Sequence, residues 1–173
     1  MITCLQMRPL LSSLYRAASH GSHSSRVGSE ARNELRAWEA VLRAQTHTAT
    51  PFSWFFQDPQ RAFDSIWCGD ASGSEGFGSW CRHGGPDHLF HVPWPKGWIQ
   101  GDDQVSSALH ELVPLTVIVL KYLRQGHEIA YETDSAAMVA AFRKGRSPKP
   151  KIHHLLQLIM TRAAQTRSDV RVT

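Results

Sequence analysis

Short hydrophobic runs, separated by glycine, serine and proline, follow one another from about residue 66 onward. Residues 66–71 and 76–81 are two such runs, and the turn between them is short enough for a β-hairpin. Residues 89–92 form a third run, which the prolines and the glycine at 93–97 end. The pattern therefore predicts three consecutive strands, of which the first two form a hairpin.

Longer segments with helical spacing follow these strands. Residues 104–124 predict a long apolar helix, in which Pro114 must either start the main body or introduce a kink, and Gly126 stops it. Residues 128–133 predict a strand, residues 135–142 and 152–166 predict helices, and residues 169–172 begin a last strand. Strands and helices in this order are typical of a mixed α/β layer architecture.

The first sixty residues have a different character and are interpreted as a helical segment apart from the domain at residues 65–173. Residues 5–18 have the spacing of a short amphipathic helix, and residues 20–29 resemble a linker rich in serine, glycine and histidine. A second helix begins with Ser29 as its N-cap and runs to about residue 44. The predicted fold is therefore an α/β domain with a short helical N-terminal appendage.

Composition limits the class of protein only weakly. The chain has 173 residues, 42% of them hydrophobic, and a formal net charge of +4, which is compatible with a nucleic-acid partner. No apolar run could cross a bilayer, and Arg8 and Pro9 interrupt the first apolar stretch, so a secreted protein is not expected. Cys4, Cys68 and Cys81 lack zinc-ligand spacing and are expected to be free thiols in an intracellular compartment, cytoplasmic or nuclear; a mitochondrial presequence stays open.

Three acidic residues stand at junctions between predicted elements. Asp70 lies at the end of the first strand, Glu111 early in the long helix, and Asp134 at the end of the fourth strand. Clustered carboxylates repel one another, and a hard divalent cation such as Mg²⁺ or Mn²⁺ removes that repulsion. Two such ions can stabilise both oxygens of an in-line phosphoryl displacement. The joint placement of these three acids therefore predicts a catalytic metal site made of Asp70, Glu111 and Asp134.

Each of these acids also has an ordinary interpretation when it is taken alone. Asp70 lies beside glycine and serine and could be a turn residue. Glu111 could be an exposed helical residue, and Asp134, which precedes a serine, could be a helix N-cap. The sequence pattern leaves these alternatives open.

A basic stretch follows the helix that Asp134 opens, and it is either a solvated loop or a surface that contacts nucleic-acid phosphates. Its members are Arg143, Lys144, Arg146, Lys149 and Lys151. Trp80, Trp94 and Trp98 could stack on a nucleotide, but packing in the core or at an edge is favoured. The glycines at 73, 76 and 78 are not a phosphate-binding P-loop, because no Lys-Ser/Thr follows them.

The segments DASGSEGFG (70–78), ELVPL (111–115) and TDSAAMV (133–139) resemble the ribonuclease H domain of retroelement reverse transcriptases. The likeness covers roughly residues 65–173 and is greatest to the DIRS group of tyrosine-recombinase retrotransposons. It implies a mixed five-stranded sheet flanked by helices, and cleavage of RNA in RNA–DNA hybrids with Asp70, Glu111 and Asp134 as metal ligands. Transposases and integrases of related fold place their glutamate after the second aspartate instead.

The resemblance also implies a partner and a departure from the family pattern. Residues 1–60 are similar to the segment between the polymerase palm and ribonuclease H, so the polymerase portion of the same polyprotein is the implied partner; the chain lacks the polymerase acids itself. An intact family site, which holds two ions, includes a fourth acid on a helix after the last strand. This chain ends at DVRVT, and Asp169 precedes its strand. A catalytically dead nucleic-acid-binding module and a non-functional retroelement fragment are therefore the alternatives.

Overall fold

The structure, a computed structural model, describes residues 12–19, 27–44, 63–98 and 106–173. Five strands form one sheet, and five α-helices and one short 3-10 helix (Pro86–His88) accompany it in the described residues. The strands are β1 (Ser65–Ala71), β2 (Gly76–Cys81), β3 (Leu89–Pro93), β4 (Glu128–Glu132) and β5 (Asp169–Val172). The helices are α1 (Ser12–Ser19), α2 (Ser29–Ala44), α3 (Ser107–Tyr122), α4 (Ala136–Lys144) and α5 (Pro150–Thr166).

The sheet has the strand order β3-β2-β1-β4-β5 and is mixed. β1 pairs antiparallel with β2, as does β2 with β3, whereas β1 and β4 run parallel, as do β4 and β5. The predicted class is confirmed: the domain is α/β, with a mixed five-stranded sheet flanked by helices. This arrangement is consistent with a ribonuclease H-like fold, and it places the carboxyl ends of β1 and β4 at one edge.

The main core lies between one face of the sheet and a layer formed by α3, α4 and α5. All residues from 108 to 116 of α3 are buried, which explains why the helix is apolar almost all round. The sequence predicted that Pro114 would start or kink this helix, but Pro114 lies inside one helix. Proline cannot donate the usual hydrogen bond to the carbonyl of His110. Burial of the surrounding turns offsets that loss.

The appendage packs against the domain through α2 and α5. Val41 of α2 and Ala164 of α5 are buried together in a small apolar cluster. Glu34 is fully buried and accepts the backbone N–H groups of Ser13 and Leu14 at 2.8–2.9 Å. These N–H groups belong to the first turn of α1, where no helical partner exists, so Glu34 fixes α1 on α2.

Several predictions fall outside the described residues. They concern Cys4, the first part of the helix predicted at 5–18, most of the linker at 20–29 and the start of the helix predicted at 104–124. Cys68 and Cys81 are free thiols, as predicted. None of the described helices combines the length and the apolar character needed to cross a bilayer.

Candidate active site at the carboxyl ends of β1 and β4

Asp70 and Asp134 lie at the same edge of the sheet because β1 and β4 are parallel neighbours. Cys68 of β1 is paired with Glu132 of β4, and each aspartate follows its paired residue by two positions. Continuing this register places the two aspartates side by side. Asp70 is exposed near the end of β1, and its Oδ1 accepts the N–H of Ala71 at 2.7 Å.

The alternative that Asp134 caps a helix is wrong, because Ser135 takes that position. Ser135 is the N-cap of α4, and its side chain accepts the N–H of Met138 at 3.3 Å. Asp134 therefore lies one residue before the cap. Its exposed carboxylate is not the helix cap and faces the same edge as Asp70.

Glu111 reaches this edge from α3 and is not the exposed helical residue of the alternative interpretation. It is only 7% exposed. Its carboxylate lies within hydrogen-bonding reach of the Asp70 side chain and of the Ala71 backbone N–H. The Oε2 atom is buried and has no hydrogen-bond partner within the described part of the chain. A carboxylate in this position is poorly solvated, which is costly unless a proton or a cation compensates.

The three carboxylates act on one another electrostatically. Burial is the largest cause that raises the pKa of Glu111, to about 7, and the negative charges of Asp70 and Asp134 raise it further. The Ala71 N–H acts in the opposite direction because it stabilises the ionised form. The structure thus brings together all three acids that the sequence singled out.

Tyr131 and Gly69 lie in contact on β4 and β1, next to the three carboxylates, and neither was identified from the sequence. Tyr131 of β4 is fully buried, and its hydroxyl has no hydrogen-bond partner among the described residues. Burial, followed by the charge of Glu111, raises the pKa of Tyr131. A Cβ atom on Gly69 would overlap the Tyr131 hydroxyl, so only glycine leaves room for this ring. A glycine inside a strand and directly before Asp70 was the available signal.

The Gly69→Ala substitution is expected to destabilise the protein by about 1–3 kcal/mol, because the new methyl group forces the buried Tyr131 ring to move. Urea unfolding of the variant measures this change in the free energy of unfolding. Tyr131→Phe removes the overlapping oxygen, so the Gly69→Ala cost should be smaller in the Tyr131→Phe background. Equal costs in the two backgrounds would show that the contact does not limit this position.

The chemistry of the donor set suits a hard divalent cation. Among the described residues no group of three or more His, Cys, Asp and Glu side chains has the arrangement of a formed metal site. Three carboxylates nevertheless lie close enough to act on one another electrostatically, and one of them, Glu111, has a buried oxygen without a hydrogen bond among the described residues. Mg²⁺ and Mn²⁺ prefer oxygen ligands and take few of them from protein. The residues present therefore fit such an ion.

The five basic residues that the sequence singled out do not all lie beside the carboxylates. Arg143 and Lys144 end α4, are exposed, and border a cavity of about 680 Å³ together with Asp134. Gly145 then ends the helix in a left-handed conformation (φ 61°). Arg146, Lys149 and Lys151 lie farther on, in the loop and the first turn of α5. Only the first two basic residues line the cavity at Asp134.

The three tryptophans that the sequence singled out have different environments. Trp94 is buried against Phe77, with ring centroids 4.9 Å apart, and Trp98 lies 5.3 Å from Trp94. Both agree with the packing interpretation. Trp80 differs, because its side chain is 47% exposed on the sheet face opposite α3.

A scan against models of protein families gives no match to this chain, and a search of curated proteins gives no significant match.

Proposed function

We propose that this chain is a divalent-metal-dependent nuclease of the ribonuclease H type, which cleaves the RNA strand of RNA–DNA hybrids. The observation that carries the proposal is the convergence of Asp70, Glu111 and Asp134 at one edge of a mixed five-stranded sheet. The sequence resemblance supplies the substrate class. The strand order β3-β2-β1-β4-β5 is consistent with the fold that this resemblance implies.

The roles of the acids follow from their positions. Asp70 and Asp134 extend from adjacent strand ends, where they are open to solvent and to a substrate phosphate. Glu111 approaches from α3, and the nearby N–H of Ala71 favours its ionised form. Magnesium or manganese, two ions in an intact site, would supply Lewis-acid stabilisation of the attacking and leaving oxygens when bound. Tyr131 fills the space beneath and excludes water from the buried side of the cluster.

The basic residues after α4 would hold the nucleic acid. Arg143 and Lys144 border the cavity at Asp134, so they are placed to contact a phosphate near the scissile bond. Arg146, Lys149 and Lys151 extend the positive surface away from it. Contacts of this kind read backbone shape and the 2′-hydroxyl rather than base sequence. In a parent polyprotein, α1 and α2 would lead toward the polymerase portion.

The experiment is cleavage of an end-labelled RNA–DNA hybrid by the purified chain in Mg²⁺, Mn²⁺ or EDTA. We expect cutting of the RNA strand alone, only when a divalent ion is present. Matched RNA–RNA and DNA–DNA duplexes control for substrate class. Folded protein that cuts no substrate in either metal would overturn the proposal.

A nucleic-acid-binding module without activity is the second candidate, and one observation favours it: the described residues do not form a complete three-ligand metal arrangement. Its signature would be hybrid binding that weakens steeply as salt rises, with no cleavage.

A further inference from the structure

A large open cavity extends from the carboxylate edge across the face of β1, β2 and β3 that lies opposite α3. Its volume is about 960 Å³, and Asp70 and Asp134 are among the residues that line it. The cavity continues past β1 to Trp80 of β2, one strand away, and to His91 of β3, two strands away. Of these lining residues the cleavage chemistry proposed above uses only Asp70 and Asp134, so the rest of the cavity has no assigned role.

The register of the three strands fixes which side chains are neighbours in this cavity. Residues that are paired across a sheet lie in one row and point to the same face. Two adjacent rows cross the cavity from β1 to β3. The first consists of Asp70, Gly78 and His91, and the second of Cys68, Trp80 and Leu89.

These rows form a shallow slot with an aromatic wall. Gly78 has no side chain, so the middle of the first row is bare backbone. Trp80, in the middle of the second row, is 47% exposed, and Leu89 beside it is 65% exposed. Neighbouring strands lie about 4.8 Å apart and alternate residues about 7 Å apart. The indole is therefore about one nucleotide away from Asp70.

The charges at the slot allow a nucleotide to enter. Glu132 lies beside Cys68 and forms an ion pair with Arg82, so its charge is partly compensated. Asp70 and Asp134 would face the divalent ion in the proposed function. Glu75 also lines the cavity, but it precedes the start of β2, at the opposite end of that strand from Trp80. The exposed indole and its apolar neighbour Leu89 form an aromatic part of the wall, and such a surface stacks on the flat face of any unpaired base. A base inside a duplex cannot present that face.

We propose that this cavity binds an unpaired nucleotide next to the scissile phosphate by stacking its base against Trp80. The inference rests on the proposed function and refines its substrate class: hybrids that carry a single-stranded flap at the cleavage site are bound in preference to blunt hybrids.

The test compares a blunt hybrid with a hybrid that carries a short flap, in which 2-aminopurine replaces the first unpaired base. Binding is measured with Ca²⁺ in place of Mg²⁺, so that affinity is separated from cleavage. We expect the flap to increase affinity and its 2-aminopurine fluorescence to be quenched on binding. Trp80→Ala should abolish the quenching and reduce the preference for the flap by about tenfold or more, and Trp80→Phe should retain most of both.

Two further variants make the result specific. Gly78→Val places a side chain in the slot; its Cβ atom would lie 3.2 Å from the Phe90 carbonyl oxygen, a tight contact that requires β3 to shift by a few tenths of an ångström, so circular dichroism must first show this variant folded. It should reduce flap preference as Trp80→Ala does. Trp98→Ala is the matched control, because Trp98 is a partly exposed tryptophan outside the cavity. This variant should keep the quenching and the preference for the flap.

The outcomes separate the two proposals. Metal-dependent cleavage with no flap preference, or with a preference that Trp80→Ala leaves unchanged, overturns the stacking site and leaves the nuclease proposal standing. Quenching that depends on Trp80 without cleavage of any substrate overturns the nuclease proposal and supports the stacking site. Absence of both overturns both.

Discussion

Replacing Asp70 with asparagine is expected to lower the rate of metal-dependent cleavage on the order of 10²- to 10³-fold, the usual size for loss of one group that stabilises transition-state charge. Asparagine keeps the shape of the side chain, and its carbonyl oxygen can still accept the Ala71 N–H. The negative charge is lost, and with it one ligand of the proposed ion. Single-turnover rates on a labelled hybrid, at saturating protein, measure the effect.

Asp87→Asn is the matched control for this prediction. Asp87 is an exposed aspartate in the short helix before β3 and does not line the cavity at the acids. Its replacement should leave the rate unchanged within about twofold, and circular dichroism should show both variants folded. A rate for Asp70→Asn close to that of the wild-type chain would contradict the assignment of Asp70 as a metal ligand.

The elements and their order could be predicted because each depends on local pattern. The hairpin followed from two short runs and a tight turn, and both strands of the hairpin match the structure to within one residue at their ends. The placement of Asp70 and Asp134 at one edge also followed from their positions at the ends of predicted strands. What local pattern could not supply was the choice between a helix cap and a ligand at Asp134, because Asp134 and Ser135 are both good caps.

The burial of Glu111 could not be predicted from α3 alone. This helix is apolar on almost all sides, so its sequence does not show which side faces the strand ends. The contact between Gly69 and Tyr131 could not be predicted from the sequence for a different reason. It depends on the register of two strands that are distant in sequence. Both features involve long-range packing, and both lie at the candidate site.

Glu111→Gln is expected to stabilise the metal-free protein above neutral pH while it removes the response to Mg²⁺. Burial and two neighbouring carboxylates raise the folded-state pKa of Glu111 from an ordinary value of 4.5 to about 7. Between these values the folded state binds a proton that the unfolded state releases, so stability falls as pH rises through that window. At roughly pH 8 ionised Glu111 costs on the order of 3 kcal/mol, and glutamine, which stays neutral, avoids that cost.

Urea unfolding in EDTA at about pH 5 and pH 8 measures this difference. The gain from Glu111→Gln should be small at the lower pH, below about 1 kcal/mol, because the window has only just opened there, and largest at the higher pH. Glu39→Gln is the control, because Glu39 is exposed on α2 and forms an ion pair with Arg43 one turn away, a contact that contributes little. Added Mg²⁺ should stabilise the wild-type chain at pH 8, because ligand that binds only the folded state shifts unfolding. A pH-independent effect of Glu111→Gln would show that the pKa of Glu111 is not raised in the folded state, and the proposed metal site would lose its main physical support.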